Sequence, residues 1–256
     1  MSEVTTSRDG AVLTITLNRP DVYNAFNQAL HAALHEALTE ASAAEVRAVV
    51  ITGAGKGFSA GQDLREFQSL SGSIRDALEQ SYHPNVRLIR SLEKPVIAAV
   101  NGAAAGAGLS LACACDVRIA SDAASFVPGF IGIGLIPDAG GSWFVHRLLG
   151  YARAFEWMTS NRRLDAKEAL AWGLVSEVIP AQDFATRTAE IAARWAALPT
   201  RGVGLTKRLF DHAEDADLDK QLVLEAELQQ AATGSADFAE GVAAFLEKRT
   251  PSFSGA

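Results

Sequence analysis

Asp138 is a carboxylate with apolar residues nearby in the sequence, and such a carboxylate could act as an acid or a base. It lies in the run Gly134-Leu-Ile-Pro-Asp138-Ala-Gly-Gly141. If nearby apolar side chains surround it in the fold, the loss of hydration raises the pKa of its carboxyl group and strengthens it as a base. These neighbours are Phe126, Phe130, Ile133, Ile136 and Trp143. A simpler alternative stays open, because an aspartate before Ala-Gly-Gly-Ser is also a typical N-cap for a helix that begins near residue 139.

Three glycine-rich segments could bring backbone N–H groups to one place. They cover residues 53–64, 101–108 and 134–141, and each is expected to follow a strand. Glycine lets the chain turn sharply and lets a ligand approach the main chain. A helix that begins there directs its unpaired N–H groups into the space above it. Two converging N–H groups would form an oxyanion hole, which stabilises negative charge on a substrate oxygen.

Familiar phosphate-binding and metal-binding motifs do not fit these residues. The residues around Lys56 do not form a P-loop. Val50 stands where the motif requires its first glycine, and Gly57 stands where it requires serine or threonine after the lysine. Residues 102–108 have the spacing GxxxGxG and not the GxGxxG of dinucleotide-binding folds. His31 and His35 lie four residues apart, but no third ligand accompanies them, so we expect a solvated helix face. The motifs imply no metal and no redox cofactor.

An alternation of strands and helices must position these segments. The pattern predicts a hairpin of residues 3–8 and 11–17 across Asp9-Gly10, followed by strands at 46–52, 94–100 and 116–120. It predicts helices from Asn27, over 74–92 with a break at Pro84, and at 107–115, 139–149, 150–159 and 165–171. From residue 181 the chain is predicted to be helical, with breaks near Pro199-Thr200 and Gly234-Ser235. The order indicates an α/β fold that ends in a helical region.

The composition limits the partners and the compartment. The chain has 256 residues, of which 48% are hydrophobic and 21% charged, so it can bury a sizeable core. A net charge of −7 argues against nucleic acid as the main partner. Only Cys113 and Cys115 are cysteines, and both lie in an apolar run, so we expect no disulfide framework. We see neither a signal peptide nor a membrane span, and we therefore expect a cytoplasmic protein without membrane contact.

Several segments in this order resemble the enoyl-CoA hydratase/isomerase (crotonase) superfamily. They are Asn18-Arg19-Pro20, Gly57-Phe-Ser-Ala-Gly-Gln-Asp-Leu64, Lys94-Pro-Val-Ile-Ala-Ala-Val-Asn-Gly102, Asp116-Val-Arg-Ile-Ala120, Pro137-Asp-Ala-Gly-Gly141 and the run from Glu240 to Arg249. The resemblance covers essentially the whole chain. It implies an α/β fold, a spiral of ββα units over residues 1–200, with a C-terminal helical region over residues 201–256. It also implies an acyl-CoA thioester as substrate, assembly as a homotrimer or hexamer, and no cofactor besides the CoA of the substrate.

The resemblance assigns the site residues. The backbone N–H groups of Ala60 and Ala107 correspond to the oxyanion hole for the thioester carbonyl. Family hydratases handle water with two glutamates, and this chain has Ser110 and Phe130 at those places. A hydroxyl and a phenyl group cannot replace carboxylates as general acid and base. Family isomerases instead carry an acidic residue where this chain has Asp138.

Further residues are expected to contact the substrate or its CoA. The first glycine-rich segment contributes Ala60, Gly61, Gln62, Asp63 and Leu64, and the others are Ala107, Phe130, Trp143 and Lys248. For three of them a structural role is an open alternative. Asp63 is also a candidate helix cap, Trp143 a candidate core residue, and Lys248 a solvated terminal residue, although the family analogy lets it reach CoA phosphates across a subunit boundary.

The sequence thus predicts an acyl-CoA isomerase in which Asp138 removes and returns a proton. The reaction is a double-bond shift or the rearrangement of a ring epoxide to an oxepin, because the segments around Ala104–Gly108 and Gly134–Trp143 resemble family members that act on CoA-bound ring epoxides in phenylacetate degradation. Hydration of an enoyl-CoA is one alternative. Attack by Asp138 as a nucleophile, in a thioester hydrolase or dehalogenase, is another. A non-catalytic acyl-CoA-binding or RNA-binding relative is disfavoured by Asp138 and by the net charge.

Overall fold

The N-terminal hairpin opens the larger of two sheets. The computed structural model describes residues 2–67 and 73–256. Strands β1 (Val4–Asp9) and β2 (Val12–Leu17) pair antiparallel across Gly10, whose φ of +53° suits the tight turn. Every second side chain of β2 is buried, because successive side chains of a strand point to opposite faces of the sheet.

Strands from successive parts of the chain alternate between two sheets. The larger, six-stranded sheet has the order β1-β2-β3-β5-β7-β10, and the smaller, four-stranded sheet has the order β4-β6-β8-β9. The further strands are β3 (Ala48–Gly53), β4 (Gly57–Ser59), β5 (Val96–Val100), β6 (Ala103–Ala105), β7 (Val117–Ser121), β8 (Ser125–Val127), β9 (Leu164–Asp165) and β10 (Glu177–Ile179). Each pair β3/β4, β5/β6 and β7/β8 gives one strand to each sheet before the chain turns into helix. The predicted spiral of ββα units is therefore confirmed.

Helices cover the sheets and form the C-terminal part. They are α1 (Gln28–Glu40), α2 (Leu64–Phe67), α3 (Ile74–Ala77), α4 (His83–Ser91), α5 (Ala107–Ala114), α6 (Gly141–Leu149), α7 (Tyr151–Ser160), α8 (Ala166–Ala171), α9 (Phe184–Ala196), α10 (Thr200–Ala213), α11 (Leu218–Thr233) and α12 (Ala236–Glu247). The predicted breaks before Thr200 and at Gly234-Ser235 are confirmed. The proposed division of the chain at residue 200 falls where α10 begins and stays a prediction.

Two local expectations need correction. The short strands β4, β6 and β8 were not predicted, because strands of only three residues are too short to show an alternating pattern. The helix over residues 74–92 was predicted to break at Pro84. It instead widens into a π turn at Leu78–Tyr82 and continues as α4. Proline lacks the N–H of a regular helical bond, and the chain accommodates it at the start of α4.

A buried ionic cluster attaches the C-terminal helices to the core. The Lys207 ammonium, on α10, donates to the Asp116 carboxylate at 2.9 Å and to the Ile89 carbonyl oxygen at 2.6 Å. Asp116 also pairs with Arg90 at 2.8 Å. Both predicted core cysteines, Cys113 and Cys115, are buried nearby on and just after α5. Within the described ranges, no helix combines the length and the apolarity that crossing a membrane requires.

Candidate active site

The three glycine-rich segments meet at one cavity of about 190 Å³. The cavity lies beside the ends of β4 and β6, the paired strands of the smaller sheet. Of the residues predicted for the site, it is lined by Ala60, Gly61, Gln62, Leu64, Ala107, Phe130 and Asp138. The tertiary fold therefore brings together residues that lie up to 78 positions apart, from Ala60 to Asp138.

Two glycines allow the first and second segments to approach each other. Gly61 has a φ of +85°, and a Cβ atom there would lie 2.8 Å from the Ala105 carbonyl oxygen. Gly106 has a φ of +52° and a ψ of −124°, a combination that favours glycine. Only glycine fits both the backbone angles and the space at position 61. This close approach sets the distance between the N–H groups that follow each glycine.

On the first segment, the available N–H group belongs to Gln62 and not to Ala60. The Ala60 N–H donates to the Tyr23 carbonyl oxygen at 2.9 Å, so the predicted role of Ala60 as an oxyanion donor is wrong. Gln62 forms a parallel bridge with Phe26, in which the Gly61 oxygen and the Asp63 N–H do the bonding. In such a bridge the N–H of the central residue points to the other side of the strand. Within residues 2–67 and 73–256, the Gln62 N–H has no acceptor.

On the second segment, the N–H of Ala107 is the first of helix α5. The first N–H groups of a helix have no partner inside it, and the intrahelical ladder begins with Ser110, which donates to the Gly106 oxygen at 3.1 Å. A Cβ atom on Gly61 would lie 3.3 Å from the Ala107 nitrogen, so this nitrogen lies against the first segment. Among the described residues, the Ala107 N–H has no acceptor. Its predicted availability as a donor fits this geometry.

Asp138 lies in the cavity wall with one carboxylate oxygen unpaired. Its Oδ1 is buried and finds no hydrogen-bond partner in the described part of the chain. Burial raises the pKa of the carboxyl group from 3.8 to about 6, against a smaller opposing effect of a backbone hydrogen bond. Helix α6 begins at Gly141 with Gly140 as its cap residue, so the alternative of Asp138 as the helix N-cap is wrong.

The backbone after Asp138 is strained. Ala139 has a φ of +49° although it carries a side chain, and Gly140 continues with +82°. A left-handed non-glycine residue costs free energy and persists only where surrounding contacts require it. Ala139 is buried. These two residues separate the Asp138 side chain from the first turn of α6.

Three other predicted contact residues do not line this cavity. Asp63 accepts the Arg65 N–H at 3.2 Å and pairs with Arg19 at 3.1 Å, so the helix-cap alternative is confirmed. Trp143 lies at a different groove, where the guanidinium of Arg147 stacks 3.8 Å from its ring centroid. Its predicted contact with the substrate or its CoA stays a prediction. Lys248 ends α12 outside the cavity, and its role toward CoA on a neighbouring copy stays a prediction.

The two places of the hydratase glutamates hold groups without acid or base function. Ser110 is fully buried and its hydroxyl donates to the Gly106 oxygen at 3.4 Å. Phe130 is buried and places its ring in the cavity wall. Asp138 is therefore the only carboxylate among the described residues that line the cavity.

Sequence reasoning missed two residues near the site, Tyr82 and His31. Tyr82 lines the cavity. His31, expected on a solvated helix face, is buried and stacks on Phe26 with a centroid distance of 4.9 Å, so that expectation is wrong. Its position next to Leu30 and Leu34 on the apolar face of α1 was the available signal. Among the described residues, no three His, Cys, Asp or Glu side chains cluster as metal ligands would.

The chain belongs to the enoyl-CoA hydratase/isomerase family, whose profile matches residues 7–256, and its fold is the crotonase fold. It is 43% identical over 249 residues to the 1,2-epoxyphenylacetyl-CoA isomerase of Escherichia coli, with 95% of each chain covered. It is 44% identical over 241 residues to a probable enoyl-CoA hydratase of Rhodobacter capsulatus, with 94% and 93% covered. The crystal structure of an enoyl-CoA hydratase from Bacillus anthracis superposes with a TM-score of 0.94 at 35% identity, covering 99% of this chain and all of that one.

Proposed function

We propose that this enzyme is an acyl-CoA isomerase in which Asp138 takes a proton from one carbon of the acyl group and returns it to another. The observation that carries the proposal is the Asp138 carboxylate itself, with a buried and unpaired oxygen in the wall of a cavity that no other described carboxylate lines. A general base works best when its pKa lies near the working pH, and a value of about 6 meets that condition.

The Gln62 and Ala107 N–H groups are the proposed oxyanion donors. Removing a proton next to a thioester moves negative charge onto its carbonyl oxygen. Fixed N–H donors stabilise that charge without having to reorganise during the reaction. The unpaired N–H groups on two adjoining segments support this role. Helix α5 adds the positive end of its dipole on the Ala107 side.

A single carboxylate suits isomerisation better than hydration. Isomerisation needs one group that is a base first and an acid afterwards. Hydration must activate a water molecule and also protonate the substrate carbon, and two groups do this more readily. Ser110 and Phe130, at the two hydratase positions, cannot take on those tasks. The alternative of an efficient enoyl-CoA hydratase is therefore less well supported.

For the acyl group we propose a compact, ring-containing unit such as the 1,2-epoxide of phenylacetyl-CoA. A cavity of about 150 Å³ lined by apolar groups binds benzene, and the cavity beside Asp138 measures about 190 Å³. The walls are apolar at Leu64, Phe130 and Leu135. The likeness to the Escherichia coli isomerase of that epoxide supports the same choice.

Proton movement in D₂O tests the proposal. The purified protein is mixed separately with a 3-enoyl-CoA, a 2-enoyl-CoA and the ring epoxide of phenylacetyl-CoA, and isomer formation and deuterium uptake are followed by mass spectrometry. We expect isomerisation of at least one of them, and a fall of about 10²–10⁴-fold in kcat for Asp138→Asn. An Asp138→Asn variant as active as the wild type, or a wild type that moves no proton on any of the three, would contradict the mechanism.

Attack by Asp138 as a nucleophile is the second candidate, because an unpaired carboxylate oxygen facing a cavity can also form an ester. Such a hydrolase or dehalogenase would pass through a covalent acyl-aspartyl or aryl-aspartyl species. Turnover in H₂¹⁸O would then place ¹⁸O in the Asp138 carboxylate. An isomerase leaves that carboxylate unlabelled, so peptide mass spectrometry after turnover separates the two chemistries.

A further inference from the structure

Tyr82 occupies the cavity wall without a role in the proton transfer proposed above. It lies at the end of the π turn Leu78–Tyr82 and is 8% exposed. Burial raises the pKa of its phenol, and the negative charges of Asp138 and Glu66 raise it further. The phenol is therefore a proton donor to its neighbours and not a base.

Tyr82 lies in the cavity wall with other residues of its helical stretch. Ile74 and Ala77 line the cavity from the start of this stretch. The stretch contains a π turn, in which the His83 N–H is bonded to the Leu78 carbonyl oxygen five positions back. Tyr82 is the last residue of this turn and lines the cavity together with Leu78, its first residue.

The phenol binds the side chain of Gln62, the residue whose N–H is the proposed oxyanion donor. The Tyr82 hydroxyl donates to the Gln62 Oε1. The other end of the amide, Nε2, donates to the Asp63 carbonyl oxygen at 3.2 Å. The Gln62 side chain is thus held at both ends, once by its own segment and once by the opposite cavity wall. A side chain held in this way restricts the rotation of its own backbone.

The ring of Tyr82 is held in turn by two aromatic side chains. It meets His31 edge-on with a centroid distance of 4.0 Å and Phe26 with a centroid distance of 5.7 Å. Burial lowers the pKa of His31 to about 4, so this imidazole is neutral at physiological pH and adds no charge beside the site. Phe26 also pairs through its backbone with residues 61–63. The same aromatic cluster therefore supports Tyr82 and the segment that carries the Gln62 N–H.

We propose that Tyr82 is a positioning residue that holds the Gln62 N–H in the direction required by the thioester oxygen. This inference rests on the proposed function. Tyr82 acts through the Gln62 side chain and does not transfer a proton. It links the helical wall of the cavity to the oxyanion hole through a single hydrogen bond.

Carbonyl spectroscopy on a bound thioester tests this role without relying on turnover. The probe is phenylacetyl-CoA labelled with ¹³C at the thioester carbonyl, which has no double bond to shift. Hydrogen bonding in an oxyanion hole lowers the carbonyl stretching frequency. We expect a lowered frequency with the wild type, a smaller shift with Tyr82→Phe, and an unchanged one with Tyr151→Phe, a matched control at an exposed tyrosine.

Kinetics and a double variant separate positioning from direct contact. Loss of one hydrogen bond predicts a fall of about tenfold in kcat for Tyr82→Phe with little change in KM and in the melting temperature. Gln62→Met keeps the N–H but removes the acceptor, so it should give a similar loss, and the double variant should be no worse than either single one. Multiplying losses would mean that Tyr82 contacts the substrate itself and would overturn the inference.

The failures of the two proposals can be told apart. If the carbonyl frequency of the bound thioester falls equally with the wild type and with Tyr82→Phe, the positioning role is wrong, but the proposed oxyanion hole is still supported. If the wild type shifts no frequency and moves no proton in D₂O, the proposed function fails, and the role of Tyr82 falls with it.

Discussion

Asp138, the proposed base, lies in an environment that costs stability and would favour reactivity. Its carboxyl group lies among apolar side chains with one oxygen unpaired, an arrangement that disfavours the charged form. The same burial moves its pKa toward the pH at which a base is most effective. Nothing in the described surroundings offers a cation to offset this, since His31, the imidazole behind Tyr82, is neutral there. Two measurable consequences follow for this residue.

The first prediction concerns the pH dependence of activity. Asp138 must be ionised to accept a proton, and its pKa is raised to about 6. We therefore expect kcat/KM to fall tenfold per pH unit below about pH 6 and to be constant above it. The profile of initial rates from pH 4.5 to 8 measures this. A value of kcat/KM that stays constant down to pH 4.5 would show that burial does not act on Asp138 as described.

The second prediction concerns stability. Because the folded state raises the pKa of Asp138, it favours the protonated form, and this stabilisation is lost as the pH rises from about 4 through about 6. At pH 7.5 we expect Asp138→Asn to be more stable than the wild type by about 1–2 kcal/mol, a value reduced for the remaining solvent contact of the side chain. Urea unfolding at pH 7.5 and pH 4.5 measures it. The gap should close at the lower pH, and a less stable variant at pH 7.5 would be the contrary result.

Among the elements, the short strands β4 and β6 position the two proposed oxyanion donors. They pair in parallel, and each ends in the segment that carries one of the proposed donors. Gly61 and Gly106 then let the two backbones nearly touch. Helix α5 begins directly after Gly106 and places its first N–H group beside Gly61. The donors of the proposed oxyanion hole thus come from the backbone of two strand ends and one helix start, and the Gln62 and Tyr82 side chains are proposed to hold one of them in place.

A variant at Gly61 tests this view. In Gly61→Ala the new Cβ atom would lie 2.8 Å from the Ala105 oxygen, so the two segments must separate. We expect kcat to fall by about 10²-fold, the effect of losing one oxyanion donor. Gly10→Ala is the matched control, because Gly10 also has a positive φ but no atom within 4 Å of the new side chain.

Both glycine variants carry a similar backbone strain of about 1 kcal/mol, so equal losses of thermal stability are expected from that cause. Only Gly61→Ala should also lose activity. Equal activities of the two variants, measured with the substrate that the D₂O experiment identifies, would show that the spacing of the segments is unimportant.

For the whole molecule, the C-terminal helices expose a large apolar surface. On α12 a stripe at helical spacing comprises Phe238, Val242, Phe245 and Leu246, of which Phe245 is 82% exposed. These side chains line a groove of about 390 Å³ together with Phe253. Apolar patches of this kind are characteristic of protein interfaces. They are consistent with the expected assembly of several copies, in which α12 and Lys248 would meet a neighbouring subunit.

Sedimentation tests that assembly. We expect the wild type to sediment as a trimer or hexamer at micromolar concentration. Phe245→Asp should shift it toward the monomer, because each copy would bury an unpaired carboxylate in the contact. Lys167→Asp, on the exposed side of α8, is the control for a change of charge. A wild type that sediments at 27.1 kDa over the whole concentration range would contradict the expectation.

The sequence by itself determined the fold class, and its resemblance to the family singled out Asp138 as the proposed base. Buried strands, helix caps and glycine segments are local signals, and Asp138 corresponds, by that resemblance, to the acidic residue of family isomerases. The absence of carboxylates at residues 110 and 130 is equally readable from the chain. These features depend only on the types and the order of the residues, so they can be recognised in the sequence alone.

Only the tertiary structure decided which groups face the cavity. The N–H of Ala60 is bound by Tyr23, whereas that of Gln62 has no acceptor in the described part of the chain, a distinction set by the bridge between Gln62 and Phe26, 36 positions away. Tyr82 lines the cavity from the end of a π turn, and Trp143 lies at another groove. Such choices depend on long-range pairing and packing. Local composition does not encode them, because the partners lie far apart in the chain.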